Sequence, residues 1–501
     1  MTTLIGGEML SWSDLDGTHG PAAASGDALR SLLSPPLGRT LVAGPHAPRL
    51  FEALPPEQVT VLVRGADDAS ALARPGLTVL CGSLEKLAAV PAYDTVVALD
   101  GLDRLLSAEA DPHTWNETLD LLLAQLKPGG RLLLGVENLF GVHRLVALPP
   151  APADSDWVVP DDHDPDRPAG HAGLLTRLTR LGLRVERDYA AYPALSSPSV
   201  LLSREILAEP TLAGALGAAV ATAVRPPADV LADPVRLATG ALRNGLATEL
   251  APAWVIVAEL APDPAAERGP GPAVELAPDP AVERALIGRP DAVIGGRAVS
   301  LPDTGLPRGR TLQDHLLAAA QRRDLPALRD LLSGWQSGPA AGVPAGQIVV
   351  TGPPAEMVAL IPAGEPLKAL RAFAATVIAG GFAHLWPIRG DEAELTAVLA
   401  GMTGRELEPA DVPAGDAPPA HAVGDLLADR DRLTRELAEA RAKHEWYESM
   451  LLRREAELKR VRQMNALLSA TIPGKAATNL VGGLRAGKRA VRSVVRRTRG
   501  G

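Results

Sequence analysis

Few groupings of side chains in this 501-residue sequence are equipped for chemistry. The densest is Asp161-Asp162-His163-Asp164-Pro165-Asp166, where a histidine stands among carboxylates. A histidine so placed, His163 beside Asp162, can take the proton from a hydroxyl acceptor as a general base. The same stretch also reads as a solvated acidic loop. Its spacing lacks the regularity of hard-cation loops, so no metal site is read there. A second group consists of Gly44 in Val-Ala-Gly-Pro-His-Ala-Pro, Arg64 with Asp67 and Asp68 behind it, Cys81-Gly82-Ser83, and Asp100. Arg64 is able to pair with a phosphate, but no Gly-x-Gly-x-x-Gly loop accompanies it. Cys81 is the one cysteine, which excludes a disulfide framework and any cysteine-based metal cluster.

These residues matter only if elements bring them together. Short apolar runs at 39–44, 58–63, 77–80, 93–100 and 131–136 alternate with helix-patterned stretches near 48–54, 67–73, 84–89 and 114–126. Continuous apolar strands separated by helices predict a parallel sheet covered on both faces. The fold class expected is therefore α/β, a Rossmann-like doubly wound and mostly parallel sheet. Residues 183–190 and 199–203 would add a hairpin at its edge. In such a sheet, a nucleoside binds at the carboxyl ends of the strands, where the strand order reverses. Gly44, Gly82, Ser83 and Asp100 fall at or just after predicted strand ends, and Asp67 several residues past one.

Three stretches resemble class I S-adenosylmethionine-dependent methyltransferases. Tyr93–Leu105 is similar to that family's fourth-strand motif, with Asp94 at its start and Asp100 at its end. Residues 121–138 resemble the following helix, a Lys-Pro-Gly-Gly turn and the fifth strand. Residues 182–193 resemble the family's closing glycine, strand and Tyr-Pro. The resemblance covers about a third of the chain, and it implies S-adenosylmethionine as cofactor, held by Gly44, Asp67, Gly82, Ser83 and Asp100. All three cofactor loops depart from the family pattern. Pro45 and Pro48 stiffen the first. Arg64 stands where a ribose-binding acid is usual and cannot accept a hydrogen bond. Ser83 replaces an acid at the third. Residues 136–150 and 161–168 are similar to a subset acting on envelope glycans and related sugars, in which Asn138, Asp162 and His163 match the acceptor-side positions. The resemblance implies a methyltransferase for a sugar or related hydroxylated acceptor. The alternative is a catalytically inactive methyltransferase-fold scaffold that oligomerises and recruits glycan or envelope enzymes.

Beyond the sheet, expectations are coarser. After an N-terminal extension, 1–38, and the Rossmann domain, 39–205, a mixed α+β region is expected over 206–402. Its 309–335 segment weakly resembles aminoglycoside-phosphotransferase-like kinases. Residues 343–366 contain no Asp, Asn or His, so the kinase's catalytic set is missing. ELAPDPAAER (259–268) recurs as ELAPDPAVER (275–284), which reads as a tandem duplication in a surface loop. A Pro- and Gly-rich linker, 403–424, precedes a coiled coil over 425–472. Stepping seven residues at a time from Leu426 and from Arg430, nine of thirteen seam positions are apolar. Self-association through this segment is expected.

Aromatic residues are only 3% of the chain, so its cores must rest mainly on Leu, Val and Ala. Net charge is −9, yet residues 474–501 carry eight Lys or Arg and no acid. Such a tail suits an anionic membrane surface, and an unstructured soluble tail is the rival reading. Nucleic acid is disfavoured, since no aromatic follows Tyr447 to stack on bases. The longest apolar run, 212–224, is too short to span a bilayer. With no secretory signal pattern at the start, a cytoplasmic location is expected, with a peripheral place at the inner membrane face through the tail.

Overall fold

In a computed structural model the chain is described apart from residues 1, 19, 34–36, 148–163, 225–229, 263–288, 353–355, 381, 387–390, 414–422 and 471–501. His163, Asp162, nearly all of the duplication and the basic tail thus lie outside the described residues. The chain divides into two compact units, Met1–Asp425 and Leu426–Gly501.

Among the described residues of the first unit, eleven strands share one sheet: β1 Thr2–Gly6, β2 Thr40–Ala43, β3 Val59–Val63, β4 Thr78–Gly82, β5 Tyr93–Ala98, β6 Leu126–Glu137, β7 Leu183–Tyr192, β8 Val200–Ser203, β9 Ala253–Leu260, β10 Ala292–Ile294 and β11 Arg297–Val299. Their order is β1-β4-β3-β2-β5-β6-β9-β7-β8-β10-β11. Pairings from β1 through β6 are parallel, and those from β6 to β11 antiparallel. Eight of the eleven strands consequently run in one direction. The chain winds outward from β2 to β4, then returns to place β5 on the other side of β2. This is the Rossmann-like doubly wound arrangement the sequence predicts, and the order reverses between β2 and β5.

Continuous apolar runs make these strands because both faces are buried. Along β2 and β5, Leu41 and Val96 point into one core, while Val42 and Val97 point into the other. Each such Leu or Val contributes about 1.5–3 kcal/mol on leaving water. Helix α1 (Asp27–Leu32) and α2 (Ala66–Leu72) are short. Helix α3 (Trp115–Leu123) is fixed at its start by a capping box, with Thr114 accepting from the Glu117 amide and Glu117 accepting from the Thr114 amide. The Lys-Pro-Gly-Gly turn bulges out of the sheet. Pairing jumps from Tyr93 with Leu126 to Thr95 with Arg131, and Gly129 takes φ +74°.

The sheet does not stop at residue 205, where the sequence reading ended the first domain. β9, the Trp254-Val-Ile-Val run, enters between β6 and β7, antiparallel to both. β7 and β8 do form a hairpin, but β10 and β11 extend the sheet beyond it. A separate core lies under the small sheet β12 (Arg310–Thr311), β13 (Ile348–Thr351) and β14 (Glu356–Ala359), packed by helices Leu312–Gln321, Leu325–Ser337, Pro366–Ala379 and Glu392–Met402 around Trp335 and Phe373. The long C-terminal helix spans Val423–Ala470.

Candidate functional site

The carboxyl ends of β4, β3, β2 and β5 face a common crevice, and the N-terminal segment of the chain runs along it. β1 pairs with β4, and residues 6–8 then turn over its end, where the Ser83 amide donates to Gly6 O at 3.0 Å. Met9 bridges the end of β3, its amide donating to Arg64 O at 2.8 Å and its carbonyl accepting from the Ala66 amide at 3.0 Å. Asp14 forms a two-point ion pair with Arg64, Oδ2 to Nε at 2.8 Å and Oδ1 to Nη2 at 2.9 Å. Asp68 accepts from the Ser13 hydroxyl (2.5 Å), the Asp14 amide (2.8 Å) and the Leu15 amide (3.3 Å). Past β5, Arg104 donates to Pro21 O at 2.6 Å and Ala22 O at 3.3 Å while pairing with Asp100 at 2.5 Å. At the end of β2, the Ala24 amide donates to Pro45 O, and the Ala47 amide to Ala24 O. The segment therefore hydrogen-bonds the loop after every strand of the crevice.

Glycines mark how close it comes. A Cβ on Gly82, whose φ is +147°, would lie 2.3 Å from Gly6 O. One on Gly65 would lie 2.4 Å from Trp12 O. Loop glycines at strand ends admit backbone, and here the backbone admitted belongs to the same chain. The Arg64 guanidinium also stacks on Trp12, 5.6 Å from the ring centre.

Each residue expected at the cofactor site has a defined place. Gly44 takes φ +92° and accepts from His46 Nδ1 at 3.1 Å. His46 is buried, and its Nε2 accepts from the Leu99 amide at 3.0 Å. Those two bonds require the neutral ring with its proton on Nδ1. Burial accordingly pushes its pKa down to about 4. Asp67 is exposed in the first turn of α2, whereas the neighbouring Asp68 is buried and turned toward residues 13–15. Gly82 and Ser83 lie beneath residues 6–7. Ser83 is fully buried, its hydroxyl accepting from the Ser107 amide at 3.1 Å. The Asp100 side chain is 6% exposed against Arg104, and burial pushes its carboxyl up to about 7 despite that guanidinium.

Asn138 is buried too. Its amide nitrogen donates to Glu249 O and Ala251 O, each at 2.8 Å, and its oxygen accepts from the Phe140 amide at 3.0 Å. The first two bonds pin the turn after β6 to the chain before β9, and the third closes the turn itself. Beside it, Glu137 accepts from His143 at 2.9 Å and Arg144 at 3.0 Å. Burial alone would raise the Glu137 carboxyl, but these two donors hold it down at about 2.

Sequence reasoning grouped Gly44, Asp67, Gly82, Ser83 and Asp100 at one site and missed the N-terminal segment that meets the loops carrying them. Asp14, Trp12 and Ser13 gave no signal beyond an Arg64 that lacks a neighbouring acid. S-adenosylmethionine needs a glycine-lined approach, a ribose acceptor and a polar group for the base. Gly65 and Gly82 are closed by the carbonyls of Trp12 and Gly6, Asp68 is engaged by the Ser13 hydroxyl and two backbone amides, and Ser83 is buried. With the N-terminal segment in place, these residues do not fit the cofactor. Among the described residues no cluster of His, Cys, Asp and Glu is arranged to hold a metal ion, and no helix is long and apolar enough to cross a membrane.

No protein-family profile matches the chain, and no curated protein matches it. Among solved structures it is similar to a SAM-dependent methyltransferase from Archaeoglobus fulgidus, at 13% identity over 44% of this chain and 86% of that one, with a TM-score of 0.25. At that score the likeness carries no argument about function.

Proposed function

We propose that this chain is a non-catalytic scaffold, a Rossmann-like body whose nucleoside crevice is closed by its own N-terminal segment and which self-associates through its long helix. One observation carries the reading. The open faces of Gly65 and Gly82, where a ligand would approach, are taken by the carbonyls of Trp12 and Gly6. The ion pair of Asp14 with Arg64 supports it further, because Arg64 stands at the end of β3 and has its match inside the chain. In a scaffold, the fold supplies rigid surfaces for other proteins, and glycan or envelope enzymes remain the partners we propose for it.

Thermal unfolding of the full chain with S-adenosylmethionine or S-adenosylhomocysteine tests this reading. A ligand at 100 times its dissociation constant adds about 2.7 kcal/mol of stability, an easily measured rise in melting temperature. The scaffold reading expects no rise at millimolar ligand. A saturable rise would establish the methyltransferase reading in its place, with displacement of residues 2–25 as part of binding.

A further inference from the structure

Resting on the scaffold reading, the geometry of the helix Val423–Ala470 points to one mode of self-association: a parallel, in-register, two-stranded coiled coil of two copies of this chain. The helix has 48 residues, about 72 Å at 1.5 Å each, and the large apolar side chains described along it stand in solvent. Leu437, Leu451 and Leu458 are 52%, 63% and 55% exposed, and Leu433, Tyr447 and Val461 are 58%, 61% and 59% exposed. These six fall in two series, each with a seven-residue step, offset by three residues, while the exposed Trp446, Leu452, Met464 and Leu467 lie outside both. In heptad terms the Leu437 series is a and the Leu433 series is d, which is the seam two helices bury against each other.

Charge decides the orientation. In a parallel in-register pair, a g residue of one helix faces the e residue five positions later on its partner. Among the described side chains, the g–e pairs in which both residues are charged are Lys443 with Glu448 and Glu457 with Arg462. Both are of opposite sign, and each occurs twice in a symmetric dimer. Asn465 continues the Leu437 series and is the only asparagine of the helix. A single asparagine at an a position meets its copy only when the strands are parallel and in register, and it selects two strands over three. An antiparallel pair would set it against the opposite end of the helix, away from any second amide. His444 and Arg454 also occupy the seam and lower its stability.

The test uses the full chain carrying Leu437→Cys or Leu458→Cys, under mild oxidation, beside the wild type, whose Cys81 is buried. Sedimentation velocity should give twice the 52.1 kDa chain mass for the wild type and both variants. Facing a positions in a parallel pair approach within disulfide reach, so each variant should form a covalent dimer with itself. An antiparallel pair can bring at most one of two positions 21 residues apart opposite its own copy. A dimer in which only one variant, or neither, cross-links would overturn the parallel register and leave the scaffold reading standing. A trimer would overturn the two-stranded inference in the same way. A monomer at high micromolar concentration would overturn both.

Discussion

Asp14 and Arg64 are the residues on which closure of the crevice turns. Their side chains are 2% and 13% exposed, so neither charge is solvated enough to stand alone. Replacing one member of such a buried pair costs about 3–5 kcal/mol, since the other charge stays behind. Asp14→Asn should therefore lower the denaturant midpoint markedly, while Asp67→Asn, on an exposed carboxylate, should leave it within about 0.5 kcal/mol of wild type. Equal losses in the two variants would contradict the placement. His46 makes a second prediction, through pH. Its folded pKa, about 4, lies below the ordinary 6.5, so the stability it contributes is present above pH 6.5 and is lost as pH falls toward 4. A proton on Nε2 would face the Leu99 amide donor head-on. His46→Asn should flatten the stability–pH curve in that window relative to wild type, as read by urea unfolding at several pH values. Neither prediction was legible in the sequence. Arg64 was visible as an anomaly, but its partner lies 50 residues away in a stretch without periodicity, and ion pairs at that separation leave no local pattern.

The elements themselves were largely legible, for a physical reason. Strands buried on both faces are apolar throughout, so β2 to β6 announced themselves as runs, and the seven-residue step did the same for the long helix. Which strand lies beside which is another matter. Trp254-Val-Ile-Val reads as a strand, but nothing in it says that it enters between β6 and β7, because pairing depends on the partner's edge rather than on the strand's own residues. β1 is the sharper case. Thr2–Gly6 is mostly exposed and opens with two threonines rather than a continuous apolar run, and its pairing with β4 depends on Gly82 lacking a side chain. Gly82→Ala would place a methyl group 2.3 Å from Gly6 O at φ +147°, so one backbone must move. The expected result is a loss of about 1–3 kcal/mol together with release of β1, seen as new protease cleavage within the first ten residues. Wild-type stability and no new cleavage in the Gly82→Ala variant would show that β1 does not pack there.

At the scale of the whole molecule, composition acquires a location. The acidic, aromatic-poor body of Met1–Asp425 encloses three cores built chiefly from Leu, Val and Ala, as the 3% aromatic content requires. Its N-terminal segment, residues 2–25, which read as an extension, is part of the sheet and of the crevice. A chain lacking residues 1–25 should lose the hydrogen bonds at four strand ends and unfold at a lower temperature than full-length protein. Unchanged melting would mean that the segment adds nothing to the fold. Because Rossmann-like sheets bind nucleosides where this segment lies, filling that place from within replaces a ligand by a covalently attached one, present at a fixed effective concentration. Hydrogen exchange on the full chain tests this claim most directly. If the crevice is closed, the amides of Met9, Asp14, Ala24 and Ser25, which donate to Arg64 O, Asp68, Pro45 O and Ser196 O, will be protected, and S-adenosylmethionine will not change that protection. Exchange of those four amides at the rate of an unstructured chain would contradict it.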